Sequence, residues 1–366
     1  MRITANQVTT LRLLLMPIVG VMIYGDVRTR IWGVVIGTLI GLTDTVDGYL
    51  ARKHGPTVLG SLLDPVADKI FIVVCYACFA DRGGIAWWIA AAIFSRELLV
   101  TVLRSSLELG GRRLPSSGVA KLKTWIQMIG FGFLVLIPIL GGGLGLPILF
   151  GSLIAFALLA LATGRFKGIA RRGFQIGVIA LLPFLAVSFA GAQIAETLLL
   201  VVIVGITWYS AIDYLRAGLP AVARAPSHRS LHGLRLAAGG LLPIVVMAAV
   251  ATHRLPIVAL IVLLSSDMAR GALDNFAANQ GVADFSWAAS LGAELVLLVV
   301  ALLAPTVGPH LAVVGAGISV IETLRSLIRY LRAPSGAPES AVRLRAPLKG
   351  ADAKLEAQPP EPVVER

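Results

Sequence analysis

Four aspartates stand close together within one otherwise apolar stretch of the chain, residues 42–69: Asp44, Asp47, Asp64 and Asp68. Carboxylates at membrane depth are costly, and they are usually kept for a metal ion, a proton path or a substrate site. The first two are three residues apart and the last two are four apart, so each pair shares one face of a helix. This spacing favours a site for a hard cation such as magnesium or manganese.

Small and basic residues accompany the aspartates. A helical hairpin that turns at residues 54–56 would bring the two carboxylate pairs to a similar depth. Gly48 and Gly60 lie beside the pairs and would let a ligand or a neighbouring helix approach the backbone closely. Arg52 lies farther toward the turn. A metal ion and an arginine together suit a pyrophosphate, because both neutralise and grip phosphate oxygens.

The rest of the chain must place these residues in a membrane. It has 366 residues, of which 57% are hydrophobic and 14% charged, a composition that no ordinary soluble domain of this length has. Apolar runs of about 18–24 residues recur, the length that crosses a bilayer. We therefore expect an all-α, polytopic integral membrane protein with a cytoplasm-facing cavity among its early helices. About twelve transmembrane helices are predicted, near residues 7–25, 31–53, 58–80, 85–107, 118–140, 146–163, 173–190, 195–213, 233–251, 256–273, 285–304 and 310–331.

The distribution of positive charge predicts the orientation. Arginines and lysines gather in alternate loops, near residues 52–53, 104–123, 165–172 and 216–235, and cytoplasmic loops carry such an excess. We expect both termini in the cytoplasm, the protein in the cytoplasmic (inner) membrane, and the four aspartates just inside its cytoplasmic face. The net charge of +12 then reflects this topology and an attraction to anionic membrane lipids. Nucleic acid is not an expected partner, because no basic soluble domain is present to bind it.

The aspartate motif resembles a known signature. Asp44-x2-Asp47-Gly48-x2-Ala51-Arg52 followed by Gly60-x3-Asp64-x3-Asp68 is similar to the motif of the CDP-alcohol phosphatidyltransferases. The spacer between Arg52 and Gly60 is seven residues, one shorter than in that motif, which a shorter turn accommodates. The resemblance implies that a hydroxyl attacks the lipid-linked phosphorus of CDP-diacylglycerol and that CMP leaves.

The resemblance also implies roles for individual residues. The aspartates would hold Mg²⁺ or Mn²⁺ on the pyrophosphate, with Asp68, one turn beyond the other ligands, free to act as the general base. Contacts to CDP-diacylglycerol would come from Asp44, Gly48, Arg52 and Gly60.

The identity of the acceptor follows from weaker similarities. Within the family, three flanking segments are most similar to the phosphatidylglycerophosphate synthases, which implies glycerol 3-phosphate as acceptor. They are Asn6-Gln7-Val8-Thr9-x2-Arg12, Ser95-Arg96-Glu97 with Arg104, and Lys121-Leu122-Lys123-Thr124 with Gln127. Basic side chains suit an acceptor that carries a phosphate, and we expect that role for Arg96, Arg104, Lys121 and Lys123. Inositol phosphate also carries one, so another acceptor alcohol is the main alternative.

Two other classes of function are less favoured. A transporter built from two related halves would show matched features in both halves, but the paired aspartates occur in only one. A non-catalytic membrane scaffold would not need the complete motif. A homodimer is usual for the family, and we expect one here.

The resemblance divides the chain into three parts. Residues 1–216 would form the phosphatidyltransferase-like membrane domain, with a two-helix insertion near 146–190. Residues 217–332 add helices of unknown role, and a segment starting at Ser265 echoes the first motif without a partner pair of aspartates. The Pro-, Ala-, Glu- and Arg-rich residues 333–366 are expected to be a disordered cytoplasmic tail.

Overall fold

A computed structural model describes residues 5–54, 58–109, 118–163, 168–223, 229–279, 286–304 and 308–332. Within these ranges, the description does not extend to the side chains of residues 5–6, 44–54, 58–63, 65, 106–109, 118–121, 168–170, 217, 221–223, 229–232, 274–279, 286–289, 312 and 329–332. The tail that the sequence predicts to be disordered, residues 333–366, lies outside the described part of the chain.

All regular secondary structure in the described residues is helical. The twelve helices there are α1 (Ala5–Ile23), α2 (Val27–His54), α3 (Val58–Asp81), α4 (Trp87–Leu109), α5 (Gly118–Leu140), α6 (Gly145–Ala162), α7 (Gly168–Ser188), α8 (Ala192–Ala223), α9 (Arg229–Ala251), α10 (Ile257–Asn279), α11 (Ser286–Leu303) and α12 (Gly308–Arg332). The predicted all-α class is confirmed.

Length and surface composition identify a membrane protein. Among the described residues, six helical segments are long and apolar enough to cross a bilayer: Leu122–Leu140, Gly145–Ala162, Arg171–Ser188, Ala192–Pro220, Gly233–Ala251 and Gly308–Ile328. Large apolar side chains also face outward on many helices, with Val21 exposed by 72% and Leu303 by 79%. Such a surface requires apolar surroundings. The count of about twelve membrane-spanning helices stays a prediction.

Helices α1 and α3 run parallel and are in contact along their whole length. Contacts join Thr9 to Asp64 near one end and Tyr24 to Asp81 at the other. Between them, a Cβ atom at Gly20 would lie 2.8 Å from Cγ1 of Val74, so this glycine permits the close approach. Because α1 also packs on α2, it lies against both helices that carry the aspartate motif.

The close approach at Gly20 gives a first prediction. Gly20→Leu should lower the free energy of unfolding by about 1–3 kcal/mol, because its side chain would overpack the contact between α1 and α3. Gly205→Leu on α8 is the matched control, since a Cβ there meets nothing within 4 Å. Thermal melting of the two detergent-solubilised variants measures the difference. Equal melting temperatures would show that α1 and α3 are not packed as described.

The turn between α1 and α2 is fixed by side chains at the end of the helix pair away from the motif. The hydroxyl of Tyr24 donates to Oδ2 of Asp81 at 2.6 Å, and Arg82 donates to the carbonyl oxygen of Ile23. Asp26 accepts a hydrogen bond of 2.8 Å from the backbone N–H of Thr29, the geometry of a helix N-cap. The hydroxyl and the N–H of Thr29 lower the pKa of Asp26, so this cap is lost as the pH falls through that pKa.

The later helices pack onto the early ones. Helix α4 contacts α8, α9 and α10, and α10 also contacts α3. Helix α5 lies against α2 and α8, whereas α6 and α7 pack mainly on each other. Around the resulting core, Tyr76 is fully buried and donates from its hydroxyl to the carbonyl oxygen of Gln127 at 2.9 Å. The division into domains and the insertion near 146–190 stay predictions.

Candidate active site

Asp64 and Asp68 lie one turn apart on α3, and both side chains are partly exposed. The hydroxyl of Thr9 donates to Oδ1 of Asp64 at 2.9 Å, and Nη1 of Arg12 lies 3.3 Å from Oδ1 of Asp68. Thr9 and Arg12 are themselves one turn apart on α1, so two consecutive turns of one helix meet two consecutive turns of the other. The two carboxylates are therefore held in place from α1.

The first half of the motif lies on α2. Asp44, Asp47 and Gly48 fall in its last three turns, and Arg52 is two residues before its end at His54. Gly60 belongs to the first turn of α3. The side chains of residues 44–54 lie outside the described part of the structure, so the predicted convergence of all four carboxylates stays a prediction.

The residues present fit a hard metal ion by their chemistry. Asp64 and Asp68 offer carboxylate oxygens on one face of α3 and remain partly exposed, which are the donors and the access that magnesium needs. Within the side chains that the structure describes, no group of three or more His, Cys, Asp or Glu is assembled. The remaining predicted ligands, Asp44 and Asp47, lie outside those side chains.

Thr9 and Arg12 are the residues whose part in the site was not predicted from the sequence. Thr9 is fully buried and Arg12 is only 3% exposed, which is unusual for an arginine. They belong to the segment whose resemblance to the synthases suggested family membership but no contact. Their spacing matches that of the carboxylates they touch, and this match is the signal that could have found them.

The contact between Thr9 and Asp64 gives a second prediction. Thr9→Val should lower kcat/KM about tenfold, because one hydrogen bond that orients a motif carboxylate is worth about 1–1.5 kcal/mol. Thr9→Ser keeps a hydroxyl in place and should retain most of the activity. Equal activities of the two variants would show that the hydrogen bond has no part in positioning Asp64.

A second polar cluster lies in the core beside the motif, centred on Glu97 of α4. Its Oε1 lies 2.6 Å from Nζ of Lys123 and 3.3 Å from Nη1 of Arg96. The side-chain amide of Gln127 donates to the same oxygen at 3.4 Å. Glu97, Arg96 and Lys123 are all less than 8% exposed. One carboxylate thus faces two buried cations, and its removal would leave both of them uncompensated in the core.

Arg96 also links α4 to α8. Its Nε donates to the carbonyl oxygen of Thr207 at 3.0 Å, and Nη2 donates to Oγ of Ser210 at 2.7 Å. With Lys123 held by Glu97, two of the predicted acceptor-binding residues therefore have protein partners on α4 and α8. Their predicted contact with the acceptor phosphate stays a prediction.

Two further basic residues, Lys69 and Arg104, make polar contacts with α4 and α8. Lys69 directly follows Asp68 and donates from Nζ to Oγ1 of Thr101 on α4 at 2.6 Å. Arg104 donates from Nη2 to the hydroxyl of Tyr214 at 2.9 Å, with its guanidinium 5.3 Å from the centre of that ring. Both side chains are partly exposed. The side chain of Lys121 lies outside the described residues.

Comparison with known proteins places these residues in a family. The profile described as CDP-alcohol phosphatidyltransferase matches residues 2–165, the region that includes α1 to α6. A protein of Rickettsia typhi, named CDP-diacylglycerol--glycerol-3-phosphate 3-phosphatidyltransferase, is 32% identical over 133 residues, 36% of this chain and 75% of its own length. The chain belongs to the CDP-alcohol phosphatidyltransferase family.

Other relatives in the family agree with this assignment. A protein of Mycobacterium tuberculosis, named "Probable phosphatidylglycerophosphate synthase", is 37% identical over 139 residues, 36% of this chain. The chain spans 65% of the length of that relative. A Salmonella choleraesuis protein with the same name as the Rickettsia protein is 32% identical over 140 residues, 36% of this chain and 75% of its own length. No solved structure matches the chain.

Proposed function

We propose that the protein transfers the phosphatidyl group of CDP-diacylglycerol to glycerol 3-phosphate and releases CMP, which gives phosphatidylglycerophosphate. The observation that carries this proposal is the placement of Asp64 and Asp68 on one face of α3, held by Thr9 and Arg12 of α1, inside the segment that matches the family. The names of the similar proteins supply the two substrates.

A divalent metal, Mg²⁺ or Mn²⁺, belongs to this proposal. Asp44, Asp47 and Asp64 would hold it, and the carboxylate of Asp68 would lie beside these ligands, one turn beyond Asp64 on α3. When bound, such an ion neutralises the pyrophosphate and polarises the phosphorus for attack. Arg52 and the exposed backbone at Gly48 and Gly60 would bind the nucleotide and its phosphates.

Asp68 is the proposed general base. Its carboxylate would accept the proton of the acceptor hydroxyl while that oxygen forms a bond to the lipid-linked phosphorus. The bond from this phosphorus to the CMP oxygen breaks, and CMP leaves with the electron pair. Arg12 fixes the orientation of the carboxylate, because its buried guanidinium has little freedom to move.

The phosphate of the acceptor is recognised by basic side chains. Arg104 is partly exposed, and its guanidinium offers a planar, forked set of donors for a phosphate. Lys121, Lys123 and Arg96 complete the proposed set, and of these Lys123 and Arg96 lie beside Glu97. We also propose that the protein lies in the inner membrane with both termini in the cytoplasm, because positive charge is concentrated in alternate loops. From the family resemblance we propose a homodimer.

Release of CMP by the purified protein in detergent micelles tests this function. CDP-diacylglycerol and magnesium would be supplied with glycerol 3-phosphate, inositol phosphate, serine or no acceptor in parallel. Among these four conditions, we expect CMP release only when glycerol 3-phosphate is the acceptor. CMP release with a different acceptor would support the proposed chemistry and contradict the proposed product. Absence of CMP release with every acceptor, from protein shown to be folded, would favour a scaffold.

A further inference from the structure

A second cluster of charged side chains is buried among the helices beyond residue 217. Asp267 and Arg270 lie on α10 and Glu294 lies on α11, and their exposures are 0%, 2% and 0%. Charged side chains at membrane depth are costly and mark functional sites by default. The proposed transferase reaction uses none of these three residues.

The contacts inside this cluster leave carboxylate oxygens without partners. Nη2 of Arg270 lies 3.5 Å from Oε1 of Glu294, and Nη1 donates to the hydroxyl of Ser290. The hydroxyl of Ser319 on α12 donates to Oδ1 of Asp267 at 3.1 Å. Among the described residues, no hydrogen-bond partner reaches Oδ2 of Asp267, Oε2 of Glu294 or Nε of the 98%-buried Arg270. Buried polar atoms without hydrogen-bond partners are rare, so we expect a proton or an ion to be bound at this cluster.

The charges of the cluster do not balance. Two carboxylates face one guanidinium, so the fully ionised cluster would carry one net negative charge in a dry core. The other charged group that acts on the pair, Glu322 of α12, is also acidic and lies 3.4 Å from the exposed Arg325. Arg325 pairs with Glu322, so Glu322 leaves the excess of one negative charge in the cluster unchanged.

Charged groups on the neighbouring helices point elsewhere. Arg235 of α9 donates to Ser105 of α4. Lys69 of α3 donates to Thr101, and Glu97 and Arg104 of α4 contact residues of α5 and α8. Among the charged side chains that the structure describes, none besides Arg270 supplies the missing positive charge, which leaves a bound proton or cation as its source.

The sequence around this cluster argues against a divalent metal. Asp267-x2-Arg270-Gly271 has the spacing of Asp44-x2-Asp47-Gly48, with an arginine at the position of the second carboxylate. The guanidinium already supplies one fixed positive charge between the two acidic side chains. A second, divalent charge would overcompensate, whereas a single positive charge makes the cluster neutral.

We propose that Asp267 and Glu294 together bind one proton, which makes this buried site neutral. Glu294 lies 3.5 Å from Arg270, and Asp267 precedes Arg270 by three residues on the same face of α10, so the two carboxyl groups share one guanidinium. Helix α10 also packs on α3 and α4, the helices that carry Asp68 and Glu97.

Infrared spectroscopy of the purified full chain in lipid vesicles tests the site without any assay of activity. The wild type should show, at neutral pH, the C=O stretching band of a protonated carboxyl group, shifted in D2O. The band should be lost in Glu294→Gln and also in Asp267→Asn, and it should be retained in Asp213→Asn, which changes an exposed aspartate of α8. Absence of the band in the wild type, or its persistence in both cluster variants, would overturn the proposal.

Two further measurements distinguish a bound proton from a bound cation, and a protonated site from carboxyl groups that only stabilise the fold. If the band appears only after sodium is replaced by choline, a sodium ion is the occupant and the proposal is wrong. Raising the pH removes the proton and leaves a net negative charge, so the melting temperature of the wild type should fall at alkaline pH. Glu294→Gln mimics the protonated state and should lack this fall, and an equal fall in both proteins would contradict the proposal.

Discussion

Asp68→Asn is expected to lower kcat by about a thousandfold while CDP-diacylglycerol still binds. A positioned general base contributes about 10²–10⁴-fold to such a rate, and asparagine keeps the shape of the side chain but cannot accept the proton. The other proposed metal ligands, Asp44, Asp47 and Asp64, are unchanged in this variant. Binding is therefore expected to change far less than turnover.

Asp81→Asn is the matched control for this prediction. Asp81 lies at the opposite end of α3, where it accepts the hydrogen bond of Tyr24, and its replacement should leave kcat within a factor of two or three of the wild type by the usual size of surface effects. Binding of CDP-diacylglycerol by Asp68→Asn, measured by calorimetry, also reports that the variant is folded. Substantial turnover in this variant would remove Asp68 from the role of base.

Glu97→Gln is expected to lower the free energy of unfolding by about 3–5 kcal/mol, because it leaves two buried cations without their common anion. Lys123 lies 2.6 Å and Arg96 lies 3.3 Å from the carboxylate that would be lost. A neutral amide can accept hydrogen bonds from them but cannot compensate their charge. The effect should be seen as a large drop in melting temperature in detergent.

Glu196→Gln provides the comparison for the Glu97 variant. It makes the same chemical change on α8 at a partly exposed position where the structure gives the carboxylate no salt bridge among the described residues. Its melting temperature should stay close to that of the wild type. If the two variants melt alike, Glu97 does not hold the buried cluster together.

Much of the helical framework could be predicted from the sequence. Each apolar run predicted as a span falls on one of the helices, and the run at 118–140 coincides with α5 at both ends. The reason is that hydrophobicity of sufficient length leaves no alternative to a helix in a membrane. The largest difference is α8, which continues to Ala223, ten residues beyond the predicted span.

The aspartate motif could be predicted from the sequence because it depends on residues that are close together in the chain. The spacing of Asp64 and Asp68 alone predicts a shared helix face, and the structure places them one turn apart on α3. Their contacts with Thr9 and Arg12 could not be predicted in the same way. Thr9 lies 55 residues from Asp64 in the chain, and only the parallel packing of α1 on α3 brings the two together.

The environment of the basic residues could not be predicted for a related reason. Arg96 and Lys123 were assigned to an acceptor phosphate from charge and resemblance, whereas the structure shows each of them beside Glu97. Charge patterns along a chain do not tell a ligand contact from an internal ion pair, because both need the same residue types. The cluster of Asp267 and Glu294 is similar, since its two carboxyl groups meet only through the packing of α10 and α11 around α12.

Transfer of labelled glycerol 3-phosphate into lipid by the purified protein tests the central claim most directly. The protein in vesicles that contain CDP-diacylglycerol should convert the label into an organic-soluble phospholipid when magnesium is present, and a chelator should stop the reaction until magnesium is restored. Asp47→Asn should form no labelled lipid. Formation of labelled lipid at the wild-type rate in the presence of excess chelator, or by Asp47→Asn, would contradict the proposed metal-dependent site. Failure of the folded wild type to label any lipid would contradict the proposed reaction.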